Sequence, residues 1–61
     1  MYEYTKEILT KVSFDRALFK KELKKAVRWL KIEERHLLQA WCITTFGAIY
    51  QDVIAEVFKS L

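Results

Sequence analysis

Proline is absent from this 61-residue chain, and glycine occurs once, at Gly47. Strand-rich folds need turn residues about every ten positions, so their absence excludes an all-β architecture. A single cysteine, Cys42, can form no internal disulfide, and with the single histidine, His36, it supplies too few ligands for a structural zinc site. The common staples of a small scaffold are therefore missing, which leaves dense helix packing, oligomerisation, or both. Long hydrophobic runs are missing as well. The longest uncharged stretch, 37–51, has fifteen residues including two glutamines. A membrane span needs about 20 mainly apolar residues, and runs of this shorter kind are more often buried core helices. The opening residues have no basic start followed by an apolar run, so no signal peptide is expected. With a lone thiol, the cytoplasm is the expected compartment.

What is present is apolar and aromatic. Hydrophobic residues make up 52% of the chain, with two Trp, three Tyr and four Phe. Disordered chains are poor in such residues. A chain of this size buries only about 60% of the surface that its unfolded form exposes. The expectation is an all-α protein of three helices in one domain, residues 1–61: a short N-terminal helix, then a helical hairpin with a long C-terminal helix. Its surplus of apolar residues favours a dimeric helical bundle.

The segment 13–30 organises the rest. Ser13 and Asp15 are both good helix N-caps, and Asp15 is preferred. Phe14 would then precede the cap and could staple onto Phe19. From Arg16 to Lys31 the apolar residues Phe19, Leu23, Ala26, Val27 and Leu30 span about 100° of the helix, with Leu18 and Trp29 on a flank. Before this segment, Tyr4, Ile8 and Val12, with Leu9 beside them, predict a short helix over 2–12. After it, Glu33 and Glu34 suit the first turn of a new helix, where carboxylates oppose the positive end of the dipole. Leu37, Leu38, Trp41 and Cys42 form an early face of this third helix. Ile43, Phe46, Tyr50, Val53 and Val57 form a later stripe, rotated by about a third of a turn. Either the helix breaks near Gly47 or it continues as one rod about 40 Å long. The single rod is preferred, because no proline or second turn residue supports a break.

Charge is polarised along the chain. Residues 15–31 carry a net +5, the first fourteen net zero and the last thirty net −2. Lys20, Lys21, Lys24, Lys25, Arg28 and Lys31 line one face of the second helix and could contact phosphates. Nucleic-acid binders add aromatic platforms or base-reading side chains, and here only Trp29 lies nearby. A solvated face is therefore the first reading and nucleic-acid binding the alternative. An anionic membrane surface is a variant of that alternative, but the apolar side of this helix is needed for the core. Glu33 and His36 have the Glu-x-x-His spacing of di-iron bundles, yet Glu3, Glu7, Glu22 and Glu56 all look outward-facing, so no metal site is expected. His36 and Cys42 lie about 240° apart on a helix, so they do not form a nucleophile and base within one chain. Neither catalysis nor a cofactor is expected. The expected role is a self-associating protein-interaction module, its interface formed by Trp41, Ile43, Phe46, Tyr50, Val53 and Val57 of the third helix.

Overall fold

In the computed structural model, which describes residues 2–59, three helices follow one another: α1 (Tyr2–Lys11), α2 (Arg16–Trp29) and α3 (Ile32–Lys59). The fold is all-α. α2 packs most extensively on α3, and α1 rests on both.

Asp15 caps α2 as expected. Its Oδ1 accepts hydrogen bonds from the Ala17 and Leu18 amides at 3.0 and 3.2 Å, two of the amides that a helix start leaves unpaired. Phe14 does not staple onto Phe19: it is 81% exposed, whereas Phe19 is fully buried. The reason is that Phe19 faces α3, where its ring stacks on Tyr50 at 4.5 Å between centroids. The predicted face of α2 is the buried one, with Phe19, Leu23, Val27 and Leu30 in the core and Ala26 packed against it.

α2 ends two residues before the expected Lys31. Leu30 turns extended (φ −85°, ψ 150°), while its N–H still donates to the Ala26 carbonyl at 3.1 Å. Leaving the helix here lets the Leu30 side chain enter the core, where it is buried. α3 starts with a cap that needs no Ser, Thr, Asn or Asp. The Lys31 N–H donates to Glu34 Oε1 at 3.2 Å, which is the back-reaching half of a capping box.

α1 is rotated from the expected face. Thr5 and Leu9 are buried and Tyr2 and Val12 pack beside them, while Tyr4 is exposed and Ile8 half-buried. Tyr2 lies on the side of α1 that faces α3. Its hydroxyl makes a long bond to the Leu37 carbonyl of α3 at 3.4 Å. The Lys6 ammonium lies over the Tyr2 ring at 4.7 Å and near Trp41 at 5.9 Å.

α3 is the long C-terminal helix, but not a straight rod. Twenty-eight residues would measure about 42 Å at 1.5 Å per residue, whereas the whole Cα trace extends only 26 × 22 × 19 Å. The helix turns at Tyr50, whose φ of −123° and ψ of 26° are non-helical. Residues 51–59 then fold back, so that Phe58 borders the same cleft as Ile32, Arg35, His36 and Gln39. Gly47 is not the break: it sits inside the helix three residues earlier, without a positive φ. Proline and glycine, the usual causes of a sharp kink, are not at the corner. Side-chain anchoring holds it instead. The Tyr50 hydroxyl donates to the Ser13 carbonyl at 2.5 Å, and its ring lies nearly parallel to Phe19, 19° between planes. Beyond the corner, the Arg16 guanidinium grips both carboxylate oxygens of Asp52, and Lys20 pairs with Glu56 at 2.5 Å. The corner brings both arms of α3 onto the same core. Leu38, Cys42 and Phe46 before it, and Val53, Ile54 and Val57 after it, face one core.

Candidate functional site

Of the six residues expected at an interface, four belong to the core of the chain itself. Phe46, Tyr50, Val53 and Val57 are all buried, and Trp41 is half-buried with its ring edge-on to Phe46 at 5.4 Å. Ile43 alone is open, at 54% exposure. The folded-back end of α3 accounts for this, because it supplies from within the chain the partner that a straight helix would lack.

A different face of α3 is bare. Leu37, Ala40, Ile43, Thr44 and Ala48 are exposed and Gly47 half-buried along its outer side. On an ideal helix these six positions occupy about 140°. No charged residue occurs between 37 and 51, so this outer wall is uncharged throughout. The outer sides of the other helices differ: α1 exposes Glu3, Glu7 and Lys11, and α2 exposes Arg16, Lys21, Lys24, Lys25 and Arg28. Gly47 adds a second peculiarity. A Cβ built there would meet only Ile43 Cγ2, at an ordinary 3.8 Å. The chain's own packing therefore does not require glycine at this position, although glycine inside a helix costs about 1 kcal/mol relative to alanine. The uncharged stretch was legible in the sequence, but it reads there as core; its small outward residues are the signal for a surface.

The basic face of α2 is partly neutralised by the corner of α3. Lys20 is paired with Glu56, whose carboxyl the Lys20 ammonium holds below its usual range. Lys24 lies in the field of the same carboxylate. Lys21, Lys24, Lys25 and Arg28 flank an open trough over Ala17 and Lys20, and Lys31 is exposed beyond it. Trp29, 71% exposed, stands at the side of this face.

The candidate chemistry of the other singled-out residues does not assemble. Glu33 and His36 are both exposed, and no group of three or more His, Cys, Asp or Glu comes together among the described residues. Cys42 is fully buried, and desolvation pushes its thiol up to about 12. It stays protonated at neutral pH, and the exposed His36 is on another face. No helix of the described residues is long and apolar enough to cross a membrane. The chain matches no family model, no curated protein and no solved structure.

Proposed function

We propose that this protein is a non-catalytic, cytoplasmic interaction module that self-associates through the outer face of α3. The observation that carries the reading is the uncharged wall of Leu37, Ala40, Ile43, Thr44, Gly47 and Ala48 on a protein whose other outer helix faces are charged. A second copy is the fitting partner. A face without charge has nothing with which to select a charged surface, and small residues let two helices approach to about 8 Å between axes. In an antiparallel pair with its two-fold axis at Thr44, Ala40 of one copy meets Ala48 of the other, while Leu37 and Ile43 close the sides. Such an interface is isologous, as in most homodimers.

The area sets the strength. From Leu37 to Ala48 the wall is about 16 Å long, on a helix about 10–12 Å across. It offers roughly 400–500 Å² of accessible surface per copy, below the about 800 Å² per partner of a standard interface. A weak, reversible dimer is expected, not an obligate one.

Sedimentation equilibrium across 5 µM to about 1 mM tests this. The native chain is expected to dimerise within that range, and Ile43→Glu to remain helical and monomeric. Thr44→Cys adds a geometric test, because a two-fold at this residue brings its two copies within disulfide reach, Cα atoms less than about 7 Å apart. Mild oxidation should cross-link Thr44→Cys rapidly and a control Lys21→Cys slowly. A monomer at 1 mM, or equal cross-linking at both positions, defeats the reading.

The second reading is nucleic-acid binding by the cations of α2, favoured by the row formed by Lys21, Lys24, Lys25 and Arg28 along one open trough. It predicts retention of DNA or RNA in a low-salt gel shift, lost when two of these lysines become glutamate. Absence of any retained complex ends it.

A further inference from the structure

The rotation of α1 leaves a groove between α1 and α2, on the side of the bundle away from α3. Tyr4 and Ile8 form one wall, Ala26 and Trp29 the other, and Leu9 is at the floor. Its volume is about 260 Å³, slightly under the about 300–1,000 Å³ of small-molecule pockets, and it is open along its length. It has the form of a slot for side chains presented by another chain. Both large aromatic walls are exposed, Tyr4 at 59% and Trp29 at 71%, as interface anchors commonly are.

The rims differ in charge. On the α2 side lie Lys25, with Lys21, Lys24 and Arg28 beyond it on the same helix; Glu22 lines the groove one turn earlier. On the α1 side the exposed Glu7 and Lys11 offset one another. Within the slot Glu22 and Lys25 offset one another, so the positive charge lies on the outer rim of α2, at Lys21, Lys24 and Arg28 beyond Lys25, while the α1 rim is close to neutral.

We propose that this groove docks an acidic amphipathic helix of a partner protein, laid along the α1–α2 seam. The groove covers about two helical turns, room for two or three apolar side chains at i, i+3 or i+4 and i+7, the usual reading of a helix in a groove. Acidic residues along one flank of that helix meet Lys21, Lys25 and Arg28. A nucleic-acid strand fits the slot less well. The floor and walls offer carbon, apart from the Tyr4 hydroxyl, the Trp29 indole N–H and the buried Thr5, which suits apolar side chains better than a phosphate backbone. This proposal does not rest on self-association, because it uses another side of the bundle.

The test is an NMR titration of isotope-labelled protein with four probes. These are a 16-residue helical peptide with a leucine stripe and glutamates on one flank, the same peptide with lysines replacing the glutamates, a fifteen-base oligothymidine, and vesicles of mixed phosphatidylserine and phosphatidylcholine. The acidic peptide is expected to shift the amides of Tyr4, Ile8 and Ala26 and the Trp29 indole, saturating below about 200 µM. Trp29→Ala and Lys25→Glu, both exposed positions, should keep the native spectrum and weaken binding at least tenfold, as should 0.5 M salt. The monomeric Ile43→Glu variant should bind the peptide as the native chain does, which separates failure of this proposal from failure of the dimer. The proposal is overturned by no saturable shift up to 2 mM, by equal binding of the lysine peptide, or by tighter binding of the oligonucleotide or vesicles at the same residues.

Discussion

Replacing Tyr50 by Phe tests what holds the corner of α3. The substitution keeps the ring against Phe19 and Phe46 and removes only the hydroxyl, which donates to the Ser13 carbonyl at 2.5 Å from a part-buried position. That bond joins the α1–α2 loop to a residue 37 positions later, at the point where α3 leaves helical geometry. A net loss of about 1 kcal/mol is expected for a neutral hydrogen bond, somewhat more because the carbonyl is left without this donor in a part-buried setting. For a domain of this size 1 kcal/mol lowers Tm by about 4–8 °C.

Two companions give the measurement its scale. Tyr50→Ala also removes the stacked ring and opens a cavity, a change of about 3–5 kcal/mol for a large aromatic. That is about a third or more of the total stability of about 3–9 kcal/mol expected at 0.05–0.15 kcal/mol per residue, so this variant should melt far below Tyr50→Phe. Ser13→Ala removes the Ser13 hydroxyl, which donates to the Thr10 carbonyl at 2.8 Å, and leaves the acceptor of the Tyr50 bond in place. Its effect should be smaller, and because Ser13 is the hydrogen-bond partner of Tyr50 the double variant measures the coupling between the two. Circular dichroism melts of the three variants and the double variant suffice. A Tyr50→Phe protein melting within 2 °C of the native chain would refute the assignment of the corner to this hydroxyl.

Gly47→Ala should raise the Tm of the monomer by about 2–8 °C, since its new Cβ meets only Ile43 Cγ2 at 3.8 Å and helix propensity favours alanine by about 0.5–1 kcal/mol; in the same protein the dimer should weaken several-fold, and a lower Tm would contradict the open surroundings of Gly47. Arg16 and Lys20 hold the Asp52 and Glu56 carboxyls below their ordinary range. Groups with depressed folded pKa values add stability above their unfolded values of about 4 and lose it as pH falls through the folded ones. Melts should therefore be insensitive to these groups from pH 5 to 7 and fall below about pH 4, the fall being shallower in an Asp52→Asn, Glu56→Gln double variant and in high salt. Cys42, a thiol that ionises at about 12, is thiolate in only about one part in ten thousand at pH 8, so Ellman's reagent should label it no faster than the chain unfolds; rapid labelling of folded protein would contradict its burial.

The elements legible in the sequence are those set by neighbours in the chain. Asp15 caps α2 through amides two and three residues on, and the face of Phe19, Leu23, Val27 and Leu30 follows from helical spacing alone. The features that escaped it depend on distant contacts. The α1 stripes Tyr4–Ile8–Val12 and Tyr2–Thr5–Leu9–Val12 differ by a rotation of about 80°, and nothing local says that Thr5 lies inside and Tyr4 outside. The rotation is seen only in contacts with distant residues, such as that of Tyr2 with α3. The corner at Tyr50 has no proline or glycine to announce it and depends on Ser13 and Phe19. That one unseen corner also moved the proposed interface. With residues 51–59 folded back, Val53 and Val57 fill the core, and the open surface passes to the opposite side of α3. The lysine face was plain in the sequence, but the capture of Lys20 by Glu56 depends on the same corner.

The two proposed surfaces have a joint consequence that neither has alone. α3 lies against both α1 and α2, so its outer wall and the α1–α2 groove point away from one another, and pairing through α3 leaves both grooves of a dimer open. A ligand carrying two acidic amphipathic helices on a linker long enough to span the dimer then binds its second groove intramolecularly, at an effective concentration below the about millimolar of a short flexible linker. With a single-site Kd of tens of micromolar, a gain of about several-fold in apparent affinity is expected. The gain must vanish in two circumstances: below the concentration at which the dimer dissociates, and at any concentration in Ile43→Glu. Calorimetric titration of a tandem peptide against the native chain and against Ile43→Glu measures this directly. A gain that survives in the monomeric variant would mean that the second helix binds elsewhere on the same chain, the lysine trough of α2 being the first place to look.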